Sequence, residues 1–323
     1  MELRMARQRP REFGWVEKSA SRQPSYLRLA ASGELDHRAR ELYSIYRSCH
    51  LCPRLCGKNR LRGETGECRS NSRVKVSSAH PHFGEERPLV GRHGSGTIFF
   101  SGCNLKCEYC QNWELSHACE GECVTDHALG RMMLRLQAMG CHNINLVTPT
   151  HYVPNIVQAL RSAVAGGLRI PLVYNTSSYD SLEVLRLLDG IVDIYLPDFK
   201  YVDEAAAAKY STGAKDYPEV AAAAIQEMYR QVGTLITDEN GIAVRGVMIR
   251  HLVLPHNLAG TDRFVRFVAA ALGPATFVNL MAQYHPAHEA HSFPELSRRI
   301  TEVEFRQAVS WARQAGLTRF AAG

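Results

Sequence analysis

The sequence predicts an α/β protein: a parallel sheet of six strands joined by crossover helices, behind a cysteine-containing N-terminal extension. Three observations predict it. Six short, near-continuous apolar runs recur between residues 96 and 282, the texture of strands buried on both faces of a parallel sheet. Helical patterns lie between them, and this alternation gives parallel strands with right-handed crossovers. Upstream of residue 96 the chain is instead rich in Cys, Gly, Arg and His, with few long apolar runs. Metal or main-chain contacts, rather than a large core, are expected to order such a segment.

The strands are expected at 96–103, 143–149, 170–175, 191–196, 247–254 and 276–282. Between them, 126–140 places Leu129, Met132, Met133 and Leu136 on one helical face. Pro154 suits the first turn of a helix carrying Ile156, Val157 and Leu160. Residues 181–188 form a short leucine-rich helix, 217–235 sets Ile225, Met228, Val232 and Leu235 in register, and 261–272 follows the fifth strand. Thr301 with Glu304 reads as a capping box before Phe305, Val309 and Ala312. Six units fall short of the eight of a closed TIM barrel, so the expected form is a partial (β/α)6, TIM-like barrel. Its chemistry belongs at the C-terminal ends of the strands. The chain divides into a basic lead-in (1–48), a Cys-rich extension (49–95) and the β/α core (96–323).

An apolar content of 45% is ordinary for a chain with a real core. No run approaches the roughly 18 apolar residues of a membrane span. The Arg-rich start lacks an apolar stretch, so a cytoplasmic protein without a secretory signal is expected. The formal charge is +6, but residues 1–48 hold ten Arg/Lys against six Asp/Glu. The rest is close to neutral, which argues against nucleic acid as a partner. The lead-in is expected to be irregular or partly helical, a solvated polar tail. Ten cysteines without a secretory context read as metal or cluster ligands rather than disulfides.

Seven of them form two tight groups. The first is Cys103-Asn-Leu-Lys-Cys107-Glu-Tyr-Cys110, directly after the first strand. Three thiolates on one short loop can hold three corners of an iron–sulfur cube. A conventional cluster has four cysteines, so three leave one iron open, as a catalytic site requires. The second group is Cys49, Cys52, Cys56 and Cys68, a spacing able to close a zinc site or a complete cluster. Cys119, Cys123 and Cys141 show no partner spacing and read as free thiols. His285, His288 and His291 read as substrate contacts or surface, and Trp113 as core or a shield for the cluster.

The C-x3-C-x2-C spacing, with an aromatic residue before the last cysteine, resembles the radical S-adenosylmethionine (SAM) superfamily. More of the chain is similar to its pyruvate formate-lyase activating-enzyme-like branch, the PflX-type iron–sulfur proteins. The matching pieces are Cys52-Pro-Arg-Leu-Cys56-Gly-Lys-Asn-Arg60, Ser101-Gly-Cys103 through Cys110-Gln-Asn112, Asn145-Leu-Val-Thr-Pro-Thr-His151, Tyr174-Asn-Thr-Ser-Ser178, Leu196-Pro-Asp-Phe-Lys200 and Arg250-His-Leu-Val-Leu-Pro255.

The resemblance implies a 4Fe-4S cluster on Cys103, Cys107 and Cys110. It implies SAM chelated to the open iron, and one-electron cleavage to a 5′-deoxyadenosyl radical that abstracts hydrogen from substrate. That substrate would be a protein, as for glycyl-radical activases, or another molecule. It also implies a one-electron reductant such as flavodoxin or ferredoxin. Where many relatives carry Gly-Gly-Glu for the SAM amino group, this chain has Thr148-Pro-Thr150-His151, with Thr148, Thr150 or main-chain carbonyls in its place. Tyr109, Thr148, Asn175, Ser177 and Asp198 are the candidate cofactor-binding residues, and Lys200 and Arg250 the candidate catalytic ones. Together they supply the donors and acceptors that a carboxylate, an ammonium and two ribose hydroxyls need. The competing readings are an iron–sulfur electron carrier and a zinc-binding protein without SAM chemistry.

Overall fold

The computed structural model describes residues 23–322. Its strands are β1 (Lys75–His82), β2 (Ser95–Phe100), β3 (Glu122–Cys123), β4 (Ile144–Val147), β5 (Leu172–Thr176), β6 (Ile194–Pro197), β7 (Ile236–Thr237), β8 (Ala243–Leu252), β9 (Phe277–Met281) and β10 (Phe320–Ala322). Its helices are α1 (Tyr26–Ser32), α2 (Glu34–Ser44), α3 (Arg87–Val90), α4 (Trp113–Ser116), α5 (Asp126–Ala138), α6 (Val153–Ala165), α7 (Leu182–Leu187), α8 (Glu204–Tyr210), α9 (Tyr217–Val232), α10 (Thr261–Ala271) and α11 (Glu302–Gln314). Among these residues no helix is long and apolar enough to cross a membrane.

The sheet runs β10-β9-β8-β6-β5-β4-β2-β1-β3. Along this order from β2 to β10 every neighbouring pair is parallel, while β7 pairs antiparallel with β8 off the main order. The six expected strands are therefore consecutive neighbours, each shorter than or offset from its apolar run. Two additions extend them. At one edge β10 pairs parallel with β9, making a seventh parallel strand. At the other, β1 pairs antiparallel with β2. Strand β1 carries no strand pattern because it is polar and contains Pro81. That proline lies where β3, paired only with Lys75 and Val76, no longer covers β1, so its missing N–H disrupts no ladder.

Side-chain alternation divides the sheet into two faces. Leu146, Tyr174, Tyr195, Val247 and Ile249 belong to the large core under the helices. On the opposite face Val173, Ile194, Leu196 and Met248 pack with Leu89 of α3 into a smaller apolar layer. Beyond that layer, toward the strands' C-terminal ends, the same face turns polar. That transition positions the site.

Residues 26–44 are not a solvated tail. Their helices α1 and α2 pack on α6 and bury Tyr26, Leu35, Ala39 and Leu42; residues 1–22 lie outside the described part. Helix α9 stops at Val232 rather than 235, because Gly233 follows at φ 71°, a left-handed turn that glycine takes without strain. Leu235 then joins the smaller apolar layer.

Asp193, buried just before β6, anchors this N-terminal addition. Its carboxylate accepts the main-chain N–H of Ser25 at 2.7 Å and of Leu172 at 3.2 Å. We expect Asp193→Ala to cost about 1–3 kcal/mol, since two enclosed N–H donors lose their partner. A shift of that size in the urea midpoint checks it.

Candidate functional site

The loop after β2 begins at Gly102, whose φ is 89°. A Cβ there would stand 2.5 Å from the Cys68 carbonyl oxygen and 2.6 Å from Ser70 Oγ. Only glycine lets the loop pack this closely against the preceding cysteine segment. The chain then turns through Lys106, at φ 50°, and places Cys103, Cys107 and Cys110 on the wall of one cavity.

Each sulfur receives hydrogen-bond donors. Cys103 Sγ accepts from the N–H groups of Leu105 (3.4 Å) and Lys106 (3.5 Å). Ser211 Oγ donates to Cys107 Sγ at 3.2 Å, and Ser116 Oγ to Cys110 Sγ at 3.1 Å. Burial pushes all three thiols up, opposed by these donors and by the Lys200 ammonium. Neutral thiols therefore prevail until a cation displaces their protons, which is how thiolate metal sites load.

The same cavity is lined by Asn175, Ser177, Asp198, Lys200 and Arg250. An isolated bridge between Asp198 and Arg250 joins the chain after β6 to β8. Arg250 Nε donates to Asp198 Oδ1 at 2.7 Å, and Arg250 Nη2 to Asn175 Oδ1 at 2.6 Å. Lys200 Nζ donates to Asp198 Oδ2 at 2.9 Å. Burial alone would raise the Asp198 carboxyl, but Arg250 and Lys200 together hold it below its usual range. Lys200 and Arg250 both stay charged, because Asp198 outweighs the desolvation that burial imposes.

A depressed carboxyl stabilises the fold above its unfolded-state value and loses that contribution as pH falls through the folded-state value. We therefore expect the stability gap between wild type and Asp198→Asn to be constant near neutrality. It should shrink below about pH 4, where the unfolded carboxyl begins to titrate. Urea midpoints of both proteins from pH 7 to 3 measure this.

Tyr109 and Thr148 also line the cavity. The Tyr109 ring packs edge-on against Tyr201 and Tyr284, with centroids 6.1 and 5.8 Å away. Thr148 sits at φ 57°, a strained region for a β-branched residue. Of the two threonines considered for the SAM amino group, Thr150 is turned away. It is buried and donates to Asp180 Oδ1 at 2.8 Å. His285 and His288 flank the cysteine loop: Gln111 Nε2 lies 3.2 Å from His285 Nδ1, and the His288 ring stacks on Trp113 at 5.6 Å. Trp113 is 39% exposed, so it is not a core residue.

Sequence reasoning missed several contributors. Tyr217 OH donates to the Ser177 carbonyl at 2.9 Å and accepts the Lys200 N–H at the same distance, fixing two pocket loops together. Glu85 approaches Arg250 Nη1 at 3.6 Å. Leu252 and Met281 supply apolar wall. Only these last two carried a signal, since they stand two residues apart from inward positions on β8 and β9.

Among the described residues, no three His, Cys, Asp or Glu side chains converge as a bare metal ion requires. The three loop sulfurs fit a cluster better, because each would ligate a different iron. Three cysteines, and no fourth among the described residues of the cavity wall, share the cavity with side chains of both signs of charge.

These features define a class: an α/β protein with a sequentially ordered parallel sheet and a three-cysteine loop at the strands' C-terminal mouth. The chain belongs to the family of the uncharacterized protein MJ0674 from Methanocaldococcus jannaschii. It is 32% identical to that protein over 292 residues, covering 88% of this chain and 79% of MJ0674. No protein-family model matches it. It is also similar to the solved structure of HydG, a maturase of the FeFe-hydrogenase, at 15% identity and a TM-score of 0.46. That match covers 67% of this chain and 48% of HydG, so the chain spans about half of that protein. Family membership rests on the MJ0674 relationship.

Proposed function

We propose that this protein is a radical SAM enzyme of the oxidoreductase, activating-enzyme-like kind. One observation carries the reading: three cysteines of a single loop, with no fourth among the described residues that line the cavity, share it with an Asn–Asp–Lys–Arg network. When bound there, a 4Fe-4S cluster with one open iron supplies the electron that cleaves SAM to a 5′-deoxyadenosyl radical, which takes hydrogen from substrate.

The chain's own residues account for binding and orientation. Cys103, Cys107 and Cys110 hold the cluster, and the Ser116 and Ser211 hydroxyls with the loop N–H groups stabilise its sulfur charge. Arg250 and Lys200 offer cationic donors for the methionine carboxylate. Asp198 and Asn175 keep those cations aimed while leaving acceptors for the ammonium and ribose. Thr148 and Ser177 add hydroxyls at the strand ends, and Tyr109 with the surrounding tyrosines excludes water from the cysteine loop. Sequential strand order and the small second apolar layer support a sheet curled around this interior, the partial (β/α)6 barrel, because a flat sheet would leave that layer uncovered.

The activase-like branch points to hydrogen abstraction from a protein, such as the glycine of a glycyl-radical enzyme, with other substrates as the alternative. A flavodoxin or ferredoxin in the cytoplasm is the proposed electron source. Reconstituting the protein anaerobically, reducing it with dithionite and adding SAM tests the proposal. 5′-Deoxyadenosine should accumulate. Its absence with an intact cluster would defeat the enzymatic reading.

A further inference from the structure

Arg60 poses a charge problem that the catalytic pocket does not solve. It is 1% exposed, yet its hydrogen-bonded partners are the His151 carbonyl, at 3.0 Å from Nη1, and the Cys68 sulfur, at 3.0 Å from Nη2. Its Nε has no partner, and the Tyr46 ring lies 5.7 Å from its guanidinium carbon. A buried guanidinium requires opposite charge nearby. None of these contacts is a carboxylate.

The one side-chain hydrogen-bond partner of Arg60 is sulfur: Cys68 Sγ accepts from Nη2, and Cys49, Cys52 and Cys56 precede Arg60 in the same segment. Their segment is folded back on itself: Cys49 N–H donates to the Lys58 carbonyl and Gly57 N–H to the Cys49 carbonyl, each at 3.0 Å. Cys56 Sγ reaches within 4.0 Å of the Cys49 carbonyl oxygen. A Cβ on Gly66 would sit 2.7 Å from Cys56 Sγ, so the turn leading to Cys68 is pressed against that sulfur. Cys49, Cys52 and Cys68 are buried.

We infer that Cys49, Cys52, Cys56 and Cys68 form a second, closed metal centre of four thiolates, with Arg60 as its buried counter-charge. Four neutral thiols cannot balance a guanidinium. Four thiolates around a divalent zinc, or around a cluster of core charge +2, carry a net charge of about −2 and can. The shared chemistry is a thiophilic centre with every ligand position filled, so its role is to hold the fold rather than to bind substrate. Its four sulfurs must draw together for a single zinc, since no three described donors converge on one ion, or take the corners of a cluster. The centre would brace the catalytic loop from behind. Arg54 Nε donates to the Asn104 carbonyl at 3.0 Å, Lys106 Nζ pairs with Glu67 at 3.1 Å, and Gly102 abuts the Cys68 carbonyl.

The inference is independent of SAM chemistry and is tested without it. The full chain carrying Cys103→Ala, Cys107→Ala and Cys110→Ala is purified anaerobically and assayed for zinc, iron and sulfide. About one zinc, or about four irons with matching sulfide, should remain per chain; zinc or iron identifies the occupant. Adding Cys52→Ser and Cys68→Ser should release it. Arg60→Met should weaken retention against a chelator about 10–100-fold, while Arg60→Lys keeps most of it. Metal-free triple variant, or metal indifferent to Cys52 and Cys68, overturns the proposal. If the added variants do not fold, iodoacetamide labelling of the unmutated protein decides. The four thiols should be protected together until the metal is stripped, and independent labelling before stripping overturns the assignment.

Discussion

Replacing Cys103, Cys107 and Cys110 together with alanine should reduce SAM cleavage by on the order of 10³-fold or more. Any one of the three replacements should cost nearly as much, because groups that act as a unit fail as a unit. The sulfurs line a cavity at the edge of the main core, which includes Cys107 and packs against Cys103, so stability should fall by about 1–2 kcal/mol per site. Folded protein with lost iron and lost 5′-deoxyadenosine separates this outcome from general unfolding. Retained cleavage by the folded triple variant would contradict the site.

Asp198→Asn should be the most destabilising single change in the pocket, at about 3 kcal/mol. The cause is charge. Arg250 and Lys200 both rest on this carboxylate, and their side chains are 18% and 20% exposed. Removing it leaves two enclosed cations facing each other. The lower end of the range for breaking buried pairs applies because the cavity admits some water. Asn175→Ala should cost less, about 1 kcal/mol, since only one hydrogen bond to Arg250 is lost. A double variant with Lys200→Met should recover part of the Asp198→Asn loss, a coupling that urea denaturation of the four proteins can measure. Additive losses would mean that the trio does not share its charge as the distances indicate.

How much of this could be read beforehand depends on how local each feature is. The cysteine loop was legible because its three ligands lie within eight residues and follow an apolar run. Asn175, Asp198 and Arg250 were legible because each ends or follows a parallel strand, and strand order then brings them together. Ser116, Ser211 and Tyr217 were not. A hydroxyl that reaches a sulfur or carbonyl leaves no trace in sequence spacing. Strand β1 escaped for a different reason: its partner, not its own composition, makes it a strand. Partial helix in the lead-in was legible, but its charge masked the packing of α1 and α2, although Leu35, Ala39 and Leu42 sit at helical spacing and are buried. Thr148 and Thr150 show the finest limit. They are two residues apart, yet one lines the cavity and the other serves Asp180.

With Cys103, Cys107 and Cys110 as its only protein ligands, the cluster leaves one iron for SAM to occupy. The electron paramagnetic resonance spectrum of the reduced protein, recorded with and without SAM, addresses it directly. SAM should change the cluster signal in the wild type and do so far more weakly in Asp198→Asn. An identical spectrum with and without saturating SAM would contradict the account.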